Sequence, residues 1–200
     1  MKKIYLASAS PRRLQLLKQI GIEPEVVVAD FDENMNGELM PKQIVIDNAV
    51  GKAKAASQNI STKNSLIIAA DTIVVYQNKI LGKPTCRKNA YETLKVLSGK
   101  QHSVLTGVCI IDKNSSQHLA TAVETLVEMR EINNNEIEAY LNTDEPYDKA
   151  GAYGIQQLAG VFVKSITGSY SNVVGLPVET VGEMLKKFNF EVFSQWHQKK

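Results

Sequence analysis

Residues 65–76, SLIIAADTIVVY, constrain this chain more than any other stretch. Eleven of the twelve side chains are uncharged and most are apolar or β-branched, which is the pattern of a strand buried on both faces. A sheet holding such a strand needs covering on both sides, and the flanking sequence supplies helices. Ile4–Ala7 reads as a short strand. Pro11 opens a helix with Ser10 at its N-cap, Leu14, Leu16, Leu17 and Ile20 on its buried side, and Gly21 at its end. Glu25–Ala29 (EVVVA) reads as a strand and Asp30–Leu39 as a polar loop. Pro41 starts a second helix through about Ser57. After a turn at Gln77-Asn78-Lys79 come a helix over Lys88–Leu97 and two β-rich runs, Ser103–Ile111 and His118–Met129, read as a hairpin. Asn133–Leu141 reads as a helix, 142–160 as a glycine-bearing loop, Val161–Ile166 as a strand, Pro177–Phe188 as a helix, and the rest as a polar tail. The expectation is an α/β fold with a mixed sheet. With no repeat and no separable linker, residues 1–200 form one domain large enough for a substantial core.

Charge narrows the function classes. The net charge of +2 and 6% aromatic content, with no basic run, argue against nucleic acid as partner, so any polyanion site must be local. Cys86 and Cys109 have no CxxC spacing and no His/Cys cluster beside them, which excludes a zinc or disulfide framework and fits a reducing compartment. The apolar stretch Ile4–Ala7 is too short for a signal peptide, and no run approaches the ~20 apolar residues of a membrane span. The expected location is therefore cytoplasmic, away from membranes. Neither GxxxxGK[ST] nor GxGxxG occurs.

Three features carry chemistry. In LASASPRRLQLL (6–17), small residues and two serines lead into a helix whose first turn holds Arg12 and Arg13. Unpaired N–H groups at a helix start attract anions, and forked guanidinium donors match phosphate oxygens. The alternative is an N-cap with two solvated arginines, which would oppose the helix dipole. Asp71 interrupts the apolar strand. It either faces a polar cleft or pairs with a cation or metal, because an unpaired buried carboxylate costs several kcal/mol. Lys52 (NAVGKAKA), Lys83 (LGKP) and Lys149 (EPYDKAGAYGIQ) sit among small residues and, with the arginines, make a candidate cationic cluster.

These segments, together with FDEN, AADTIVV, LSGKQHSVLTGVCI and GSYSNVVGLP, stand in the order of the Maf family, also called septum formation inhibitor Maf. The chain resembles that family from about residue 4 to 188. The resemblance implies a nucleoside triphosphate pyrophosphatase that cleaves between the α- and β-phosphates with a divalent metal, Mg²⁺ or Mn²⁺. It implies an inosine-triphosphatase-like fold: an elongated mixed sheet with flanking helices and two lobes around a cleft. It also suggests a homodimer. Asp71 matches the family's proton acceptor. Asp71, Lys83 and Lys52 form the implied catalytic set, and Glu33 with Asp71 the metal ligands; the roles of base and metal ligand are not separable at Asp71. Ser8, Arg12, Arg13, Thr72, Lys149 and Gln156 would bind substrate. Thr72 and Gln156 match the subfamily similar to dTTP/UTP pyrophosphatases, and with Arg12 they would set the specificity. Neutral Gln156 offers both a donor and an acceptor to a uracil or thymine edge. Asp144 and Gln157 stand where the family often has glycine. His102 reads as structural or hydrogen-bonding, and Tyr153 as stacking on a base or as packing. Rival readings are hydrolysis of 7-methyl-GTP or another modified nucleotide, and a non-catalytic nucleotide-binding regulator of division.

Overall fold

The computed structural model describes residues 2–28, 30–34 and 40–198. Among the described residues, seven strands form one mixed sheet: β1 (Lys3–Leu6), β2 (Glu25–Val26), β3 (Ser65–Tyr76), β4 (Lys79–Leu81), β5 (Gln101–Asp112), β6 (His118–Met129) and β7 (Val163–Thr167). Their order is β2-β1-β3-β5-β6-β7, with β4 also paired to β3. β1 runs parallel to β2 and to β3, with Leu6 opposite Ile68. β3–β4 and β6–β7 are antiparallel. The helices are α1 (Pro11–Gln19), α2 (Pro41–Gln58), α3 (Arg87–Leu97), α4 (Asn134–Leu141), α5 (Tyr170–Val174) and α6 (Val178–Lys187). No helix among the described residues is long and apolar enough to cross a membrane.

The chain divides into two compact units. The first takes in the chain through Asp71, Thr106–Val123 and Gly175 onward. Its core places Ala49, Ala53 and Ala56 of α2 with Ile67 and Ala69 of β3. Small side chains let the helix lie close to the sheet. At Gly107 of β5 an added Cβ would stand 2.0 Å from the Val45 carbonyl oxygen of α2, so only glycine fits there. The second unit comprises Thr72–Leu105 and Glu124–Val174. Leu94 and Leu97 of α3, Ile137 and Leu141 of α4, and Phe162 build its core. A capping box starts α4: Asn133 accepts from the Glu136 amide, and the Glu136 carboxylate accepts from the Asn133 amide.

Four local expectations need correcting. The strand over Glu25–Ala29 shrinks to Glu25–Val26, plus a single bond from the Val27 amide to the Leu6 carbonyl. It is the outermost strand, Val28 lies exposed, and Ala29 lies outside the described residues. Part of the Asp30–Leu39 loop, residues 35–39, also lies outside them. The stretch 142–160 contains 3-10 turns at Glu145–Asp148 and Ala150–Ala152, and a third begins at Leu158. That third turn takes up Val161 and Phe162, so β7 starts at Val163. The polar tail forms a 3-10 turn over Val192–Gln198, and its Trp196 indole donates to the Ile20 carbonyl at the end of α1. β4 and α5 were not legible: three and five residues are too short for periodicity to register. The turn read at Gln77-Asn78-Lys79 is one residue shorter, since Lys79 opens β4, and Gln77 and Asn78 both take positive φ, as in a type I′ hairpin turn.

Candidate active site

Side chains alternate along a strand, so Ile67, Ala69 and Asp71 leave β3 on one face. The first two pack on the alanines of α2, which turns the Asp71 carboxylate toward the same helix one step further along. There it meets Asn48 and Lys52, one helical turn apart on a single face of α2. The Lys52 ammonium donates to Asp71 Oδ1 at 2.7 Å, and the Asn48 amide donates to Asp71 Oδ2 at 2.9 Å. Both oxygens of a carboxylate only 6% exposed are therefore held.

Lys52 has a second partner, Glu33 Oε1, at 2.6 Å. Asn48 explains how Glu33 arrives. Its side-chain oxygen accepts from the Asn34 amide at 2.8 Å, and its side-chain nitrogen also donates to the Asn34 carbonyl at 3.1 Å. One fully buried asparagine thus clasps the backbone beside Glu33 and orients Asp71. Phe31 of the same segment lies against Gly51, where a Cβ would sit 2.1 Å from the ring. The glycine before Lys52 is the space that lets this segment dock.

Arg13 of α1 lies in the same unit. Its Nε donates to the Gly175 carbonyl at 2.8 Å and its Nη1 to Ser8 Oγ at 3.1 Å. Burial lowers its pKa, while the negative charges of Asp71 and Glu33 oppose the shift; it stays a guanidinium. Ser8 Oγ also accepts from the Ser10 amide at 3.2 Å. With both lone pairs engaged, the Ser8 hydroxyl has only its proton left to offer, so it can act on a ligand as a donor. Ser10 holds the N-cap position of α1, yet its side chain makes no capping bond. Arg12 stands beside Arg13 in the first turn, half-buried.

The remaining sequence-derived residues lie in the second unit. Thr72 follows Asp71 on β3 and is partly buried. Lys83 is exposed just after β4. The amide of Gly151 donates to the carbonyl of Gly82 at 3.1 Å, tying the Lys83 segment to the loop that bears Lys149 and Gln156. Lys149 is 7% exposed. Its ammonium donates to the Glu145 carbonyl at 2.7 Å and to Asp148 at 2.5 Å, and its stem fills the space a Cβ on Gly154 would need. Glu145 accepts from the amides of Leu158 and Ala159 and closes the loop at its far end. Gln156 is partly buried, while Asp144 and Gln157 are exposed. His102 Nε2 lies 2.7 Å from the Tyr153 hydroxyl, and both are buried, which fits the hydrogen-bonding reading of the histidine and the packing reading of the tyrosine. Burial pushes the His102 pKa down to about 4.

Ser8, Arg13, Glu33, Lys52 and Asp71 are thus gathered within one unit, and Lys83, Lys149 and Gln156 lie on connected segments of the other. Asn48 is the residue of this array that sequence reasoning missed. Its signal was its place four residues before Lys52, on the helix face that an Asp71-binding lysine must present. The donor set fits a hard divalent ion: two carboxylates converge on one cationic point, and Mg²⁺ often takes one or two carboxylates with water and phosphate oxygens completing its shell. No group of three or more His, Cys, Asp or Glu suited to a metal occurs among the described residues, so the protein alone offers a sparse site.

The fold and the array together define an α/β protein with a buried carboxylate held beside fixed cations. The family model described as "Maf-like protein" matches residues 3–188, and the chain belongs to the Maf family. It is 44% identical over 192 residues to a protein of Desulforamulus reducens named dTTP/UTP pyrophosphatase, covering 96% of this chain and all of that one. A Bacillus cereus protein of the same name is also 44% identical, over 96% of this chain and 93% of its own length. The solved structure of the Staphylococcus aureus Ham1 protein aligns at 16% identity with a TM-score of 0.43, over 64% of this chain and 72% of that one.

Proposed function

We propose that this chain is a nucleoside triphosphate pyrophosphatase that hydrolyses dTTP and UTP to the monophosphate and pyrophosphate. The observation that carries the proposal is the Asp71–Lys52–Glu33 array, a buried base-capable carboxylate set among cations, in a chain whose close relatives bear that activity in their names. A triphosphate brings about four negative charges, so positioning and neutralisation are most of the catalytic task. Arg12 and Arg13 hold positive charge toward the phosphates, Lys52 and Lys83 add to it, and the Ser8 hydroxyl donates to a phosphate oxygen. Asp71 accepts the proton of the water that attacks the α-phosphorus, while the bond to the bridging oxygen breaks and pyrophosphate leaves. Glu33 and Asp71 would hold a divalent cation, Mg²⁺ or Mn²⁺, which supplies charge neutralisation at the phosphates. Thr72 and Gln156 select the pyrimidine edge with Arg12. Lys149, its ammonium bound within its own loop, supports substrate binding by shaping the loop that presents Gln156.

The test is pyrophosphate release from dTTP, UTP, CTP, 7-methyl-GTP and ITP with Mg²⁺ or Mn²⁺, for wild type and Asp71→Asn. Turnover of dTTP and UTP that falls at least about 10²-fold in the variant is expected. Turnover confined to 7-methyl-GTP or ITP moves the substrate class. Binding without turnover makes the chain a nucleotide-binding regulator. The reading extends to a cytoplasmic location and to a homodimer of the 22.1 kDa chain; sedimentation equilibrium checks the homodimer.

A further inference from the structure

We propose that the Lys52 ammonium is a tethered placeholder for the divalent cation: it holds Glu33 and Asp71 together in the nucleotide-free protein, and a metal reaches their oxygens only by displacing it. This rests on the metal-assisted reading above. Lys52 Nζ lies 2.6 Å from Glu33 Oε1 and 2.7 Å from Asp71 Oδ1, so a single positive charge already occupies the point on which both carboxylates converge. A Mg²⁺ ion binds oxygen at about 2.0–2.1 Å and would stand within a few ångströms of the ammonium, where two like charges repel strongly in a partly buried setting. One of the two cations must leave.

The surroundings decide which oxygen is exchanged and from which side. Asp71 Oδ2 is committed to Asn48, which is fully buried and bonded to both the amide and the carbonyl of Asn34. Exchange therefore falls on Oδ1. The Glu33 side chain is 46% exposed, the Lys52 side chain 16% and the Asp71 side chain 6%. The exposed approach is on the Glu33 side, and the lysine's flexible four-carbon stem lets its ammonium swing away without moving α2. The displaced ammonium is then available to a phosphate, and Asp71 Oδ1 is released from it. A triphosphate gives Lys52 a new anionic partner, so metal and nucleotide should each strengthen the other's binding by the same factor. Metal alone should bind the wild-type protein weakly.

The experiment measures Mn²⁺ affinity in the full-length, nucleotide-free protein by electron paramagnetic resonance of the unbound ion. Lys52→Met should bind Mn²⁺ about tenfold or more tighter than wild type, since the competing cation is gone. Adding Glu33→Gln to that variant should reverse the gain. Unchanged or weaker Mn²⁺ binding in a Lys52→Met protein with wild-type circular dichroism overturns the proposal. If Lys52→Met does not fold, Lys52→Gln is measured in the same way. The wild type gives an independent measurement through the ¹⁵Nζ ammonium resonance of Lys52. Loss or shift of that resonance on Mg²⁺ titration supports displacement, and an unmoved resonance at saturating Mg²⁺ rejects it. No nucleotide enters these measurements. A failure of dTTP and UTP turnover would count against the pyrophosphatase reading alone, and a failure here against the placeholder alone.

Discussion

Lys52 and Lys149 are both largely buried lysines, and they answer the same physical problem in opposite ways. Lys52, in the first unit, is neutralised by two carboxylates from segments far from it in sequence. Lys149, in the second, is satisfied by the carbonyl four residues before it and by its neighbour Asp148. A long-range ion array exists only when the strand, the helix and the polar segment have docked, and its partners can be exchanged for a ligand's charges. A local brace stabilises one loop and leaves little charge over for anything else. The difference teaches that burial of a lysine does not by itself mark a ligand site; the origin of its partners does.

The sharpest way to break this comparison is to remove each ammonium in turn. Lys52→Met should lower kcat/KM for dTTP about 10²- to 10³-fold, the scale of losing one cation from a phosphoryl-transfer site. Lys149→Met should lower it less than about tenfold and instead cost about 1–3 kcal/mol of stability, because the Glu145 carbonyl loses its donor. Equal kinetic losses with unchanged melting temperatures would mean that Lys149 touches substrate directly. Next in size is Asn48→Leu, which takes a hydrogen-bond partner from Asn34 and from one Asp71 oxygen. Urea denaturation should show a loss of about 2–4 kcal/mol, larger than for Lys149→Met.

His102 sharpens the second half of the comparison, since its bond to Tyr153 lies in the unit that holds the Lys149 loop. Its pKa falls from the ordinary 6.5 to about 4 on folding because burial disfavours the imidazolium. The unfolded chain therefore binds the extra proton first. Above pH ~6.5 the histidine is neutral in both states, and as pH falls from there toward 4 stability is progressively lost. Between pH 7 and 5 its share should be about 2 kcal/mol, read as the difference in urea unfolding free energy. A folded His102→Gln variant should show a pH dependence flatter by that amount. The smallest effect is expected at Lys88, whose 3.9 Å pairing with Glu92 is solvent-exposed. Lys88→Ala should change stability by less than about 0.5 kcal/mol and leave turnover intact.

Much of this was legible beforehand for identifiable reasons. β3 was read to its exact bounds because a twelve-residue apolar run admits little else, and α1 and α2 were located by prolines at their starts. Asp71 stood out as a charge where none should be, and Lys52 as a long cation among alanines. Asn48 did not stand out, since an uncharged polar residue in a helix reads as surface until the helix face is known. The 3-10 turns within 142–160 carry no periodic signal, and β2 lost most of its predicted length because edge position, not valine content, set its extent.

The sequence by itself determined the α/β class and the charged residues available for chemistry, because these follow from residue type and local periodicity, and it pointed to the family through the order of its motifs. Only the tertiary structure decided which charges meet. It set Lys52 between Glu33 and Asp71, put Asn48 behind them, and turned the Lys149 ammonium back into its own loop. Distances between side chains remote in the chain are fixed by how close the segments lie to one another: Ala49 and Gly107 let α2 approach the sheet, and Gly51 leaves room for the Phe31 segment.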